Sequence, residues 1–253
     1  GFVVSEGHES VFLRLMWGII RRLDTAEFDP VIICTQRGAR IIASILRDDV
    51  PNLCVVPNRL DLMAEVIRNE RFNALYHWEI STDPVNYFLP FYGLAPVQCT
   101  GFGVPATSGL SAVDYYFSSR LMESDDADKH YSETLIRADS LLAYMEHATD
   151  NHIGKTRDSF GFSEEQNLYL CLQQNGKIHP DFDEVISGIL RRDRQGRVVL
   201  SRGLSGYQAQ VLLERFNATM PDVVDRIVFM PRLSEEDYLA LIGLGDVLLD
   251  PLY

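Results

Sequence analysis

Two stretches of the chain carry side chains of the kinds that do group-transfer chemistry. The first is Ser5-Glu-Gly-His8-Glu-Ser10, which follows the apolar run Gly1–Val4 and precedes a helical stripe. In an open α/β sheet, the loop at the carboxyl end of a strand faces the ligand crevice. A histidine there can act as a general base, because an ordinary imidazole titrates near pH ~6.5. It can equally cap the helix or face solvent. The second stretch is Gln173-Gln-Asn-Gly-Lys177-Ile-His-Pro-Asp-Phe-Asp183, again between a strand and a helix. The amide of Gln174, the ammonium of Lys177 and the helix start behind them suit a diphosphate, since charge and helix dipole both favour an anion. The alternative is a surface turn.

Other patterns resemble sites without the means to be one. Gly101-Phe-Gly103-Val-Pro105-Ala106 fits the dinucleotide fingerprint in form. That fingerprint needs backbone N–H groups at a helix start, yet Pro105 removes one donor and Thr107-Ser108-Gly109 does not continue as a helix. A tight loop is expected. Asp126-Ala-Asp128 could be a metal-binding pair, but it lies in a solvated acidic run, and two carboxylates without a third ligand hold Mg²⁺ poorly. No metal site is expected. The four cysteines (Cys34, Cys54, Cys99, Cys171) lack zinc spacing, and most sit in apolar runs, so they read as free buried thiols of a reducing, cytoplasmic compartment.

The elements that must position these residues alternate as in a parallel α/β sheet. Strands are expected at Phe2–Val4, Val31–Cys34, Leu53–Val56, Ala74–Trp78, Val97–Thr100 and Val113–Phe117, with helices over 10–23, around Ile41–Leu46 and over 59–69. The polar stretch Thr149–Gln166 reads as a linker. Beyond it the alternation restarts: strands at Leu168–Leu172, Val198–Leu200, Ile227–Met230 and Val247–Leu249 interleave with helices from Phe182, over 205–216 and from Ser234. Ser234 and Asp237 are spaced as a capping-box pair. The expected division is a domain over 1–150, a linker over 151–166 and a second domain over 167–253.

Composition narrows the function classes. With 46% hydrophobic residues in 253, the chain can build a real core. Its 36 acidic against 23 basic side chains leave a net charge of −13, which repels a phosphate backbone and argues against a nucleic-acid partner. The uncharged stretch Pro84–Val113 is interrupted by Pro90, Pro96 and Pro105, so no membrane insertion is expected.

Several motifs stand in one order: Gly1-Phe-Val-Val-Ser-Glu-Gly-His8, Ala95-Pro-Val-Gln98, Gly103-Val-Pro-Ala-Thr-Ser-Gly109, Asp114-Tyr115, His130-Tyr-Ser-Glu133, Gln173 through Lys177-Ile-His-Pro180, and Asp246-Val-Leu-Leu-Asp250. Over nearly its whole length the chain resembles the O-linked GlcNAc transferase / SPINDLY glycosyltransferases, bacterial-type SPINDLY-like proteins most of all. The resemblance implies a GT-B fold, two Rossmann-like parallel-sheet domains facing across a cleft, the second incomplete. It implies an inverting protein O-glycosyltransferase that moves a sugar from a nucleotide diphosphate, a UDP-sugar, to Ser or Thr of a protein acceptor, with no cofactor and no metal. His8 then matches the acceptor-side histidine, and Lys177 and Gln174 match donor-binding residues. Gly103, Pro105, Thr107, Ser108 and Gly109 match the cleft loop. The chain departs from the pattern at Val104, where the family carries His or Tyr, and at Ser234 and Asp237, where the animal enzyme carries cationic or histidine side chains. These departures motivate an alternative, a catalytically inactive glycosyltransferase-like interaction module. The family continues past the last Asp-x-x-x-Asp strand into a Gly/Thr-rich phosphate loop and often begins with tetratricopeptide repeats. The chain therefore reads as C-terminally truncated, inactive by itself, with such repeats elsewhere in a parent chain.

Overall fold

Runs of β-branched and aromatic residues in the first half of the chain pair as one sheet in the computed structural model, which describes residues 1–145, 154–203 and 206–252. The strands are β1 (Phe2–Val3), β2 (Val31–Thr35), β3 (Asn52–Val56), β4 (Ala74–His77), β5 (Val97–Gly101), β6 (Tyr115–Ser119) and β7 (Thr134–Ala138). All neighbours are parallel, in the order β3-β2-β1-β4-β5-β6-β7. Because β1 lies between β2 and β4, the winding direction reverses between β1 and β4. Such a reversal is where open α/β sheets hold ligands.

The first helix opens as α1 (Glu9–Phe12), passes through a π turn at Leu13–Trp17 and closes as α2 (Gly18–Ile20). Phe12, Leu13, Met16 and Ile20 form its buried stripe and pack on Ile32, Cys34 and Trp78. The helix ends short of the expected residue 23, where Arg22 N and Leu23 N turn back to Ile19 O and Ile20 O. Thr35 caps α3 (Gln36–Leu46) by accepting from Gly38 N at 3.2 Å. α4 (Leu60–Glu70) and α5 (Pro84–Phe88) complete the cover, the latter capped by Asp83, which accepts from the backbone N–H of Val85 and Asn86. The expected strand from Val113 starts two residues later. Asp114 is occupied in clamping β5, its carboxylate accepting from Gln98 N at 2.8 Å.

A second sheet runs β10-β9-β8-β11, also parallel, from β8 (Asn167–Cys171), β9 (Gly196–Ser201), β10 (Ile227–Met230) and β11 (Val247–Leu248). Its helices are α6 (Phe182–Arg192), α7 (Tyr207–Thr219) and α8 (Glu235–Leu244). One core joins Phe182, Ile186 and Leu190 of α6 to Val198, Leu200, Leu212 and Phe216. Here the reversal falls between β8 and β11. Residue 205, the expected start of α7, lies outside the described residues.

By contact density the chain forms two compact units, residues 1–147 and 148–253. The expected boundary at 150/151 lies outside the described residues. The stretch 154–166, read as linker from its polarity, packs into the second unit. Phe162 is buried against Leu168, Leu170 and Leu241, and Arg157 donates to Leu244 O and to Asp246. Ser234 caps α8 by accepting from Asp237 N at 3.1 Å, but the Asp237 carboxylate closes no box and pairs with Lys155 instead.

All four cysteines are buried and unpaired. Among the described residues no helix is long and apolar enough to cross a membrane.

Candidate functional site

In the first unit the switch point between β1 and β4 is occupied by charged side chains. The turn Ser5–Gly7 leaves β1, Gly7 taking φ +95 where a side chain would be strained, and delivers His8 to the start of α1. His8 caps nothing with its ring. Its Nδ1 instead meets the carboxylate of Glu79, just past β4. An ionised carboxylate can only accept, so a neutral ring in this pairing carries its proton on Nδ1, which leaves the lone pair on Nε2. Neighbouring acids are engaged locally: Glu6 accepts from Thr35 Oγ1 at 2.7 Å, Glu9 from Gly7 N at 2.9 Å, and Asp83 from Ser5 Oγ. Glu79 itself was not singled out from the sequence. It follows a strand in Trp78-Glu79-Ile80, a context without a motif, and only the pairing of β1 with β4 brings it to His8.

The loop Gly103–Gly109 lies beside this pair. A Cβ on Gly103 would meet Glu79 Cγ at 2.9 Å and Glu79 N at 3.2 Å, so the loop rests against the back of Glu79. No helix follows Gly101-Phe-Gly103, as expected for a tight loop. The loop is pinned by Glu133, which accepts from Thr107 Oγ1 at 2.7 Å, Ser108 N at 2.8 Å and Ser108 Oγ. Burial pushes the Glu133 carboxyl up, but the hydrogen bonds from Ser108 and Thr107 outweigh it and hold its pKa below the usual value. Tyr116 fixes the loop from the other side, its hydroxyl donating to Val104 O at 2.6 Å, and burial pushes that phenol up to about 12. Pro105 and Thr107 also line a cavity of about 380 Å³ with Phe102, Tyr116 and Tyr131.

In the second unit, the loop after β8 reaches the other switch point. It turns through a 3₁₀ segment, Asn175–Lys177, five residues ahead of α6. Gln174, Gly176 and Lys177 are exposed. The Lys177 ammonium donates to Gln173 Oε1 at 3.3 Å, while Gln174 contributes its backbone carbonyl to Lys177 N at 2.9 Å. Gln173 and Gln174 line a cavity of about 580 Å³ with Ser201, Gly203, Tyr207 and Arg232. This cavity spans the carboxyl ends of β8, β9 and β10 and the start of α7, in the size range of small-molecule sites. Among the described residues no cluster of His, Cys, Asp and Glu could hold a metal ion. Asp126 and Asp128 form ion pairs with Lys129 and Arg137.

The chain resembles known proteins in fold and, more weakly, in sequence. Against solved structures it superposes on an O-GlcNAc transferase mutant from Thermobaculum terrenum with a TM-score of 0.80 at 19% identity, covering 100% of this chain and 48% of that one. A glycosyltransferase from Rickettsia africae gives 0.59 at 13% identity, covering 98% of this chain and 71% of the other. Staphylococcus aureus MnaA, solved with UDP, gives 0.53 at 12% identity over 98% of this chain and 72% of that protein. The fold is that of the GT-B glycosyltransferases. In sequence, the chain is 20% identical over 196 residues to a probable UDP-N-acetylglucosamine–peptide N-acetylglucosaminyltransferase, SEC, of Arabidopsis thaliana, covering 75% of this chain and 20% of the plant protein. The chain thus spans about half of the bacterial relative and a fifth of the plant one. No protein-family model matches it.

Proposed function

We propose that the protein is an inverting, metal-independent protein O-glycosyltransferase that uses a UDP-sugar and transfers the sugar to Ser or Thr of a protein acceptor. The observation that carries this reading is the cavity of about 580 Å³ at the carboxyl ends of β8, β9 and β10, with the exposed ammonium of Lys177 bonded to its lining residue Gln173. The likeness to O-GlcNAc transferases and to the UDP-bound MnaA supports it. In the proposed reaction the acceptor hydroxyl oxygen bonds to the anomeric carbon and its proton passes to Nε2 of His8. The bond from that carbon to the diphosphate breaks, and its electron pair leaves on the phosphate oxygen. Lys177 stabilises the growing charge, as fixed cationic donors do in such transition states. Four buried, unpaired cysteines suit a reducing compartment, and we assign the reaction to the cytoplasm.

A second reading, a glycosyltransferase-like interaction module without turnover, is favoured by one observation. Ser234 and Asp237 are spent on capping α8 and pairing Lys155, so neither position offers the donor a cation. A radiolabelled UDP-sugar incubated with the full-length protein and acceptor peptides separates the two. Label on peptide Ser or Thr supports the enzyme; UDP binding with no label on peptide, and none released as free sugar, supports the module.

A further inference from the structure

We infer that Glu79 is a positioning residue for His8: it fixes the Nδ1–H tautomer and so makes Nε2 the atom that receives the acceptor's proton. This rests on the reading of His8 as the acceptor-side base. The two side chains come from different strands and meet at the reversal between β1 and β4, His8 Nδ1 against the Glu79 carboxylate. The exposures divide as such a pair requires. The His8 side chain is 34% exposed, enough for one ring edge to reach a substrate, whereas Glu79 is 13% exposed and sheltered behind it.

The backbone supports the same assignment. Glu79 holds φ +51 and Ser81 φ +81, in the left-handed region that side chains other than glycine avoid. Strain of this kind persists where the surroundings over-determine it, and it gathers at functional sites. Here the surroundings are visible. The carbonyl of Glu79 accepts from Thr82 N at 3.1 Å and Thr82 Oγ1 at 2.8 Å, and Gly103 presses on its Cγ from behind. These contacts hold the Glu79 backbone and the foot of its side chain, and the carboxylate beyond them meets the imidazole.

The chemistry follows from the proton's path. When the acceptor hydroxyl attacks, Nε2 takes its proton and the ring becomes an imidazolium. The proton already on Nδ1 stays in its bond to Glu79, whose negative charge stabilises the new cation. The carboxylate does not itself take the proton. Without Glu79 the ring is free to carry its proton on Nε2, where it blocks the lone pair that the reaction needs.

The test uses the full-length protein with ¹⁵N-labelled histidine, the His8 resonances being assigned by their loss in His8→Gln. The parent is expected to show a protonated Nδ1 and an unprotonated Nε2. Glu79→Asn tolerates the left-handed backbone but is too short to reach the ring. It should shift His8 toward the Nε2–H tautomer and lower kcat about 100-fold, with KM for the sugar nucleotide unchanged within about twofold. Glu79→Gln keeps an acceptor oxygen and should keep the tautomer while losing about 10-fold in kcat. An unaltered His8 spectrum in Glu79→Asn would overturn the assignment. So would full turnover of Glu79→Asn in a protein that His8→Ala inactivates. If His8→Ala keeps full turnover, the base reading falls on that result, and the tautomer measurement decides the pairing alone.

Discussion

Acidification should destabilise the first unit, and one identifiable share of the loss belongs to His77. It ends β4, is fully buried, and has its Nε2 at 3.3 Å from Gln98 Oε1. Gln98 donates its own amide to Pro90 O and Ala112 O at 2.8 Å, so it offers His77 only the oxygen; Nδ1 makes no hydrogen bond, and the Gln98 and Asn86 side chains favour the charged ring less than burial disfavours it. A second proton would therefore sit on a buried, unsolvated nitrogen, and burial lowers the pKa from 6.5 to about 4. The unfolded chain takes that proton first, so stability is fully present above pH 6.5 and declines until pH falls to about 4. Over that window the loss is about 3 kcal/mol. Both tryptophans, Trp17 and Trp78, belong to the first unit, so their fluorescence in urea reports that unit alone. The carboxylates also titrate in this range, and His77→Gln serves as the control for them. The wild-type profile should fall more steeply than the variant's by about 3 kcal/mol between pH 7 and pH 4. Parallel profiles would refute the argument.

Further outcomes follow from the same geometry. Glu133→Ala leaves Thr107 and Ser108 without their acceptor and should cost about 1–3 kcal/mol in tryptophan-monitored unfolding. Gly103→Ala places a methyl 2.9 Å from Glu79 Cγ and 3.2 Å from its backbone nitrogen, so unfolding should cost about 1–3 kcal/mol less free energy and kcat should fall with it. Phe216→Ala empties the centre of the second core and should cost about 3–5 kcal/mol there by circular dichroism, while the tryptophan transition stays in place.

Much of this was legible in the chain because burial on both faces writes parallel strands as continuous apolar runs. Val31–Cys34 and Val198–Leu200 are such runs. β7 carried no such signal: it is an edge strand in which buried Leu135 stands between exposed Thr134 and Ile136. Within the stretch 151–166, expected as a linker, Lys155 and Arg157 join the second unit through polar contacts that leave no periodicity in the sequence. Position along the chain was enough to place His8 and Lys177 in the loops that follow the first strand of each sheet. Glu79 and the carboxylate of Glu133 act through contacts made across the sheet, 71 residues from His8 in one case and 25 from Ser108 in the other. No local pattern encodes such a distance.

The most direct test of the central claim is a calorimetric titration of UDP into the full-length protein, with and without EDTA, beside Lys177→Met. The account predicts binding that EDTA leaves unchanged. It also predicts that the variant, having lost a charge-assisted contact worth about 1.5–3 kcal/mol, binds at least about 10-fold more weakly. Equal affinity of the variant, or binding abolished by EDTA, would contradict it.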